Sequence, residues 1–234
     1  MISAFLFDFG GTLDSDGQHW LDRFYAIYAD IGLPEIPKTR IKEAFDWADE
    51  QAELDPSMRS AGLRQMIERH VHWQFQKLGL ESPTLAAKAA AAFITPSDRI
   101  LRRNRHVFEK LSHAGLKLGI ISNFYGNIEA LCREFAFFSF LNVILDSAVV
   151  GLKKPDPKLF GLAMERLKLP AEAIAFVGDS YERDILPAKA LGMRTFWLIG
   201  DKDMIPPNAS KVDHILRSLE DLPHDLALHK KAAS

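Results

Sequence analysis

The stretch that most constrains the fold is residues 4–13, which read Ala4-Phe5-Leu6-Phe7-Asp8-Phe9-Gly10-Gly11-Thr12-Leu13. A short apolar run that ends in two glycines is typical of a buried strand that leads directly into a loop. Asp8 is the first polar residue after the run, so this strand carries a carboxylate at its carboxyl end. A strand this apolar is covered on both faces, which is the situation of a strand inside a parallel sheet.

The rest of the chain shows two patterns. Residues 18–93 show only helical patterns, with candidate helices at 38–54, 58–78 and 83–93. After residue 96 strands and helices alternate, and the predicted strands lie at 117–122, 142–145, 174–177 and 195–199. The predicted helices of this part lie at about 99–114, 127–135, 157–167 and 183–191. Such alternation predicts an α/β fold, a parallel sheet covered by helices on both faces, here with a helical insertion after its first strand.

The composition excludes several classes of protein. The chain has 234 residues, of which 47% are hydrophobic and 26% are charged, as expected of a folded globular domain. Its net charge of −2 does not favour nucleic acid as a partner, and its apolar runs are too short to span a bilayer. We expect no signal peptide in the amino-terminal residues, and the one cysteine, Cys132, cannot form an internal disulfide. We therefore expect a cytoplasmic protein, without nucleic-acid or membrane partners, in which Cys132 is buried and inert.

Polar residues follow the predicted strands at the edge of the sheet where ligands bind in α/β folds. Asp8 follows the first strand, Ser122 and Asn123 the second and Asp179 the fourth, while Lys154 lies in the loop after the third. Carboxylates are ligands for Mg²⁺, and a lysine and a hydroxyl group can hold the oxygens of a phosphate. The sequence therefore predicts a site for a phosphate and a divalent cation.

Four short segments at these positions resemble the sequence motifs of the haloacid-dehalogenase-like (HAD) superfamily. They are, in order, Asp8-Phe9-Gly10-Gly11-Thr12-Leu13, Ser122-Asn123, Lys154, and Gly178-Asp179-Ser180-Tyr181-Glu182-Arg183-Asp184. The resemblance covers essentially the whole chain, and the helical insertion is similar to the family's C1 cap. It implies a Rossmann-like core formed by residues 1–16 and 94–234, and a cap formed by residues 17–93 that closes over the site.

The resemblance also implies a role for each motif residue. Asp8 would attack phosphorus and form an aspartyl-phosphate, and Lys154 would offset the repulsion between Asp8 and the phosphate. Ser122 and the backbone of Asn123 would hold phosphate oxygens. The implied ligands of a Mg²⁺ ion are Asp8, the carbonyl oxygen of Gly10, Asp179 and Asp184. We therefore expect a Mg²⁺-dependent phosphatase that acts on a small phosphorylated metabolite, as a monomer or a homodimer.

One position departs from the family pattern, because the residue two after the nucleophile is Gly10 instead of a second aspartate. That aspartate normally protonates the leaving oxygen and then activates water, a contribution on the order of 10²–10⁴-fold. A phosphatase with Gly10 is therefore expected to be slower, or to use another group near the site, for which the sequence offers Asp14, Asp16 and His19. Asp14 and Asp16, however, are more typical of solvated turn residues.

Two further functions stay open. A hydrolase similar to the phosphonatases would need no general acid but would need a lysine from the cap, for which the candidates are Lys38, Lys42, Lys77 and Lys88. A catalytically impaired protein that binds a phosphorylated ligand would also retain the motifs. The dehalogenases of the family lack the Gly-Asp-Ser pattern kept here at 178–180, which counts against that activity.

Several neighbours of these residues have structural explanations. Lys153, beside Lys154, is expected to face solvent, and Asp156 to cap the helix that begins at Pro157. The aromatic residues expected to form the core of the insertion are Phe45, Trp47, Trp73 and Phe75.

Overall fold

The computed structural model describes residues 2–33, 35–201 and 207–222. It contains a six-stranded parallel sheet, formed by β1 (Ala4–Phe7), β2 (Lys117–Ser122), β3 (Leu141–Asp146), β4 (Ile174–Gly178), β5 (Arg194–Leu198) and β6 (His214–Leu216). The strand order is β3-β2-β1-β4-β5-β6, so the predicted α/β fold is confirmed. β2 and β3 lie on one side of β1, and β4, β5 and β6 lie on its other side. The carboxyl ends of β2, β1 and β4 therefore lie side by side at the point where ligands bind in such sheets.

Helices surround the sheet and form the insertion after β1. In the described parts of the chain they are α1 (Trp20–Asp30), α2 (Lys38–Leu54), α3 (Leu63–Leu78), α4 (Pro83–His113), α5 (Ile128–Glu134), α6 (Ser147–Val150), α7 (Pro157–Leu167) and α8 (Leu186–Ala190). Short 3₁₀ turns lie at Pro56–Ser60, Phe138–Phe140, Ala171–Ala173, Pro207–Lys211 and Leu219–Asp221, and a π-helical turn at Tyr181–Ile185. The predictions for α2, α5 and α7 are confirmed, and Asp156 caps α7 by accepting from the amide of Lys158 at 2.9 Å.

The fully buried side chains of β1 alternate between two apolar cores. Phe5 and Phe7 point to one face, where the ring of Phe7 lies 4.6 Å from that of Phe108 on α4. Leu6 points to the other face and belongs to a cluster that includes Phe176 of β4. The first core continues into α1, α2 and α3. The helical insertion therefore shares its apolar core with one face of the sheet.

The helix α4 is continuous, whereas the sequence predicts two helices separated around Pro96. A proline inside a helix lacks the amide hydrogen for one ladder bond and usually ends the helix. Here the guanidinium group of Arg23 donates to the carbonyl of Phe93 at 2.8 Å and to Oγ of Ser97 at 2.9 Å. Apolar side chains on both sides of the proline are also buried, and these contacts stabilise one helix through it. The boundary between core and cap placed at residue 93 falls within α4 and stays a prediction.

Three other segments differ from the sequence prediction. The segment 58–78 begins instead with a 3₁₀ turn, and α3 starts only after Gly62. The segment 183–191 is divided between the π-helical turn and α8, because Pro187 lies in the first turn of α8 and removes a ladder donor there. The strand β6 is not predicted, since three residues are too few to show a period.

Three further expectations concern single features of the chain. Cys132 is buried as expected, and burial raises the pKa of its thiol, which makes it less reactive. Within residues 2–33, 35–201 and 207–222, no helix combines the length and the hydropathy needed to cross a membrane. Residues 223–234, which the sequence assigns to the core, lie outside the described residues.

Candidate active site

Asp8 directly follows β1 and places its carboxylate in a buried polar cluster. Its amide donates to the carbonyl of Val177 at 2.9 Å, which continues the ladder to β4 and fixes the backbone. Oδ1 accepts from Ser122 Oγ at 2.8 Å and from Lys154 Nζ at 2.7 Å. Burial alone would raise the pKa of Asp8, but the charge and hydrogen bond of Lys154, together with Ser122, outweigh it and lower that pKa. Asp8 is therefore held as a carboxylate.

Lys154 is the buried cation of this cluster. Its Nζ donates to Asp8 and, at 2.5 Å, to Oδ1 of Asp184. Burial would lower the pKa of Lys154, but the charges of Asp184 and Asp8 raise it, so the ammonium group stays charged. The side chain of Asn123 fixes the lysine's backbone, because its Oδ1 accepts from the Lys154 amide at 2.8 Å and its Nδ2 donates to the Lys154 carbonyl at 2.9 Å.

The side chains of Asp8, Asp179 and Asp184 bring carboxylate oxygens within 4.8 Å of one another. Thr12 Oγ1 donates to Asp179 Oδ1 at 3.2 Å. Burial raises the pKa of Asp179 well above its usual value, and the charges of Asp8 and Asp184 raise it further. Buried carboxylates that share the ammonium group of Lys154 leave negative charge uncompensated, and hard oxygens at this spacing suit a small divalent cation. The residues present therefore fit a metal ion.

Two glycines allow these carboxylates to lie so close together. A Cβ atom on Gly11 would lie 2.5 Å from Asp179 Oδ2, and its φ of +89° disfavours any other residue. A Cβ atom on Gly178 would lie 2.5 Å from the side chain of Asp184. The π-helical turn Tyr181–Ile185 then directs Asp184 back to the strand end, where its Oδ2 accepts a backbone amide at 3.0 Å. Turns of this kind occur frequently at functional sites.

A cavity of about 200 Å³ opens beside the cluster. The strand ends contribute Asp8, Gly10, Ser122, Asn123, Lys154 and Asp184 to its lining, and Asp179 adjoins it through the acid cluster. The helical insertion contributes the opposite side, with Trp20 of α1 and Phe45 and Asp49 of α2. The structure thus brings the predicted site residues together, while the roles assigned to them stay predictions.

Asp14 is fully buried, so the expectation of a solvated turn residue is wrong. Its carboxylate accepts from the amide of Gly11 at 2.8 Å, from Ser15 Oγ at 2.9 Å and from Trp20 Nε1 at 2.6 Å. Burial raises the pKa of Asp14, against the lowering effect of the Arg23 charge. Trp20 lines the cavity but Asp14 does not, so Asp14 holds the tryptophan without contacting the space a substrate would fill.

Asp16 and His19, the other two candidates for proton transfer, also have partners. Both carboxylate oxygens of Asp16 accept from Arg103 Nη2, at 2.5 and 2.7 Å, and Asp16 is not part of the cavity lining. His19 lines the cavity, but its Nε2 lies 2.8 Å from Arg183 Nη2. Burial and the charge of Arg183 lower the pKa of His19, which favours its neutral form. His19 is therefore a poor proton donor.

The lysines considered for a phosphonatase-like reaction lie elsewhere. Within the described residues, none of the four lines the cavity. Lys42 forms an exposed ion pair, Lys38 and Lys77 lie over aromatic rings, and Lys88 is exposed. Lys153 is 52% exposed, as expected, and it also contributes to the cavity lining.

A chain of hydrogen-bonded polar side chains, which no sequence motif predicts, connects the insertion to the cavity. Asp49 Oδ1 accepts from the hydroxyl group of Tyr125 and lies 3.0 Å from His70 Nε2. His70 Nδ1 lies 2.8 Å from Gln74 Nε2, and Gln74 Oε1 accepts from the hydroxyl group of Tyr28 at 2.8 Å. His70 and Gln74 are fully buried, whereas Asp49 and Tyr125 line the cavity.

Helical spacing carries a signal for this chain. His70 and Gln74 are four residues apart on the buried stripe of α3, where two polar side chains require partners. Asp49 follows Phe45 by four residues on α2, so both lie on the same side of that helix. Phe45 is buried as predicted, and it also lines the cavity.

Comparisons with known proteins agree with this architecture. The family model described as haloacid dehalogenase-like hydrolase matches residues 2–192. Haloacid dehalogenase-like hydrolase domain-containing protein 3 of Danio rerio is 30% identical over 207 residues, which are 81% of this chain and 82% of that protein. Glyceraldehyde 3-phosphate phosphatase of Pyrococcus abyssi is 29% identical over 208 residues, 84% of this chain and 81% of that protein. A crystal structure described as a dehalogenase with an intermediate complex has a TM-score of 0.63 and 18% identity over 94% of this chain and 95% of that one, a likeness in fold alone.

Proposed function

Because the chain belongs to the haloacid dehalogenase-like hydrolases, we propose that it is a Mg²⁺-dependent phosphatase that hydrolyses a small phosphorylated metabolite through Asp8. The observation that carries this proposal is the carboxyl group of Asp8 in the cavity lining, which accepts hydrogen bonds from Ser122 and Lys154. A carboxylate in this setting suits attack on phosphorus, because Lys154 offsets the repulsion between the nucleophile and an anionic substrate.

The proposed reaction has two displacements at phosphorus. Asp8 attacks phosphorus, the bond to the ester oxygen breaks, and an aspartyl-phosphate forms. Water then attacks phosphorus from the side that the alcohol has left, and the bond to Asp8 breaks. Ser122 Oγ and the amide of Asn123 hold the phosphate oxygens in both steps, and Lys154 holds the charge. Residues 17–93 act as a cap, because their helices supply one side of the cavity.

The proposed Mg²⁺ ligands are Asp8, the carbonyl oxygen of Gly10, Asp179 and Asp184. The raised pKa of Asp179 supports this assignment, since it follows from burial and from the charges of Asp8 and Asp184, which a bound cation would offset. A bound Mg²⁺ ion would offset the negative charge of the phosphate oxygens and the negative charge that develops during the reaction.

Two observations favour a small substrate. The cavity of about 200 Å³ lies below the range of about 300–1,000 Å³ for pockets that hold drug-sized ligands. The relative from Pyrococcus abyssi is named a glyceraldehyde 3-phosphate phosphatase. A phosphonatase-like reaction has less support, because within the described residues the four candidate lysines of the insertion lie outside the cavity lining.

Phosphate release tests the proposal against a protein that only binds a phosphorylated ligand. Wild type and Asp8→Asn are compared with p-nitrophenyl phosphate and a panel of small phosphate esters, with and without Mg²⁺. Asparagine keeps the size of the side chain but not the nucleophile, so we expect a loss on the order of 10⁴-fold or more. Release by the wild type should also require Mg²⁺. Equal background release from both proteins, with phosphate still bound in calorimetry, would identify a binding protein instead.

A further inference from the structure

Gly10 leaves the proposed reaction without its usual group for proton transfer, and its neighbours do not replace that group. A Cβ atom on Gly10 would meet Phe124 Cε2 and Trp20 Nε1 at 3.4 Å, so aromatic side chains border this position. An alkyl phosphate loses its alcohol slowly unless the leaving oxygen receives a proton. If the proposed function is right, on which this inference rests, another group in the cavity handles that proton.

Only one of the carboxylates in the described cavity lining is not bound to a lysine. The lining contains Asp8, Asp49, Glu53 and Asp184. Asp8 and Asp184 both bind Lys154, beside the proposed metal site. Both oxygens of Glu53 bind Lys153 Nζ, at 2.6 and 2.7 Å. Asp49 is left.

The contacts of Asp49 hold one of its oxygens and leave the other available. Oδ1 accepts from Tyr125 and faces His70 Nε2, whereas Oδ2 has no hydrogen-bond partner among the described residues. The hydrogen bonds behind Asp49 can all be donated in its direction. Tyr28 donates to Gln74, and the amide nitrogen of Gln74 then faces His70 Nδ1. With Nδ1 as acceptor, His70 carries its proton on Nε2 and donates to Asp49. The carboxyl group is therefore fixed from behind.

We propose that Asp49 is the general acid and base of this enzyme, supplied by α2 in place of the motif aspartate that Gly10 replaces. In the first step a bond forms between Asp8 and phosphorus, the bond between phosphorus and the ester oxygen breaks, and that oxygen takes the proton from Oδ2. In the second step water attacks phosphorus, its proton passes to Oδ2, and the bond to Asp8 breaks. The sum is one ester and one water converted to one alcohol and one phosphate, with Asp8 and Asp49 restored.

Tyr125 and His70 are positioning residues in this arrangement. Burial, together with the charge of Asp49 and the hydrogen bond to it, raises the pKa of Tyr125 well above its usual value, so the phenol keeps its proton and remains a donor. The buried imidazole of His70 packs against Phe24 and Phe45, with ring centroids 5.7 and 5.1 Å away. These contacts orient the carboxyl group of Asp49, and both residues act on the reaction through it.

The experiment compares wild type, Asp49→Asn and the control Asp46→Asn with an aryl and an alkyl substrate, p-nitrophenyl phosphate and glycerol 3-phosphate. Asp46 lies on the same helix and is 51% exposed, so it tests for effects of charge removal alone. An aryl ester needs no proton to leave, so Asp49→Asn should still release a burst of about one equivalent of nitrophenolate and then turn over slowly. With the alkyl ester, both phases should fall, by a factor on the order of 10²–10⁴. Asp46→Asn should match the wild type.

The results separate this inference from the proposed function. Turnover of both substrates within about threefold of wild type in Asp49→Asn, or a rise in KM alone, overturns the role of Asp49 while the phosphatase stands. Release by the wild type no greater than by Asp8→Asn overturns the proposed function and this inference with it. If Asp49→Asn does not fold, Tyr125→Phe decides, since loss of one donor to Oδ1 should lower kcat for the alkyl ester and leave the burst intact. An unchanged kcat in a folded Tyr125→Phe would then overturn the inference.

Discussion

The two sides of the cavity are held in different ways. The strand-end cluster consists of Asp8, Ser122, Lys154, Asp179 and Asp184, and the helical wall of Trp20, Phe45 and Asp49. Most members of the cluster adjoin strand ends, and their positions follow from the ladder of the sheet and from backbone contacts such as those of Asn123 with Lys154. Members of the wall come from helices, and side chains such as Asp14 and His70 hold them from behind. The positions of the cluster residues thus follow from the sheet topology, whereas the positions of the wall residues follow from side-chain packing.

The two sides of the cavity therefore differ in the part of the reaction that they serve. The cluster can hold a phosphate and a cation whatever the leaving group is, because its groups meet only the phosphate side of a substrate. The wall faces the rest of the substrate, where proton transfer and selection of the alcohol occur. Substitutions in the cluster should therefore affect all substrates alike, while those in the wall should distinguish them.

The largest effect is expected at Lys154, compared with its exposed neighbour. Lys154→Met leaves Asp8 and Asp184 buried without their cation, so kcat/KM should fall by about 10²–10³ for every substrate, and the free energy of unfolding by about 3 kcal/mol. Lys153→Met breaks an exposed pair with Glu53, for which a change of about 1 kcal/mol or less is expected. Steady-state kinetics and urea unfolding of both variants measure this. A larger loss of kcat/KM in Lys153→Met than in Lys154→Met would identify Lys153 as the site lysine.

The predictability of the two sides follows the same division. Asp8 and Asp179 could be placed from the sequence because an apolar strand ends just before each of them. Asp14 could not, because no local pattern shows that Trp20 and Arg23 return to bury it. The same holds for α4, whose passage through Pro96 depends on Arg23, a residue more than seventy positions away. Long-range packing of this kind overrides the local signals from which the sequence prediction is made.

The next effect concerns Asp179, a proposed ligand of Mg²⁺. Loss of a second-shell partner alone costs about 10–100-fold in metal affinity, so Asp179→Asn should weaken Mg²⁺ binding at least about a hundredfold in calorimetry. Because burial and the charges of Asp8 and Asp184 raise the pKa of Asp179, its neutralisation should also raise the melting temperature of the metal-free protein. The exposed Glu182→Gln in the same loop is the control. Unchanged Mg²⁺ affinity in Asp179→Asn would exclude Asp179 as a ligand.

A smaller effect is expected behind the helical wall, at Asp14. Asp14→Asn places an amide against the buried donors of Gly11 and Trp20, and removes the charge that faces Arg23 at 3.9 Å. We expect a loss of about 2 kcal/mol in the free energy of unfolding by urea. Asp16→Asn weakens only a partly buried pair with Arg103, so about 1 kcal/mol or less is expected. Equal losses in the two variants would contradict the buried role of Asp14.

The smallest effect concerns Gly10, which lies where the cluster and the wall meet. Its φ is outside the left-handed range, and a Cβ atom would touch Trp20 and Phe124 at 3.4 Å, which is ordinary contact. Gly10→Ala should therefore fold and keep kcat within about threefold of wild type. It is the control for Gly10→Asp, whose carboxylate would have to compete with Asp14 for Trp20 Nε1.

Gly10→Asp tests which side of the cavity supplies the proton. In the wild-type background it should change turnover of an alkyl phosphate by less than about tenfold, because Asp49 already acts there. In the Asp49→Asn background it should raise that turnover by about tenfold, since a carboxylate returns at the position the family uses. The measurement is the slope of log kcat against the pKa of the leaving alcohol, expected to be shallow in wild type and steep in Asp49→Asn. The role of Asp49 is contradicted if the slope is steep in wild type, is flattened by Gly10→Asp and does not change in Asp49→Asn. Proton transfer would then belong to the strand-end side of the cavity, and the helical wall would only select the substrate.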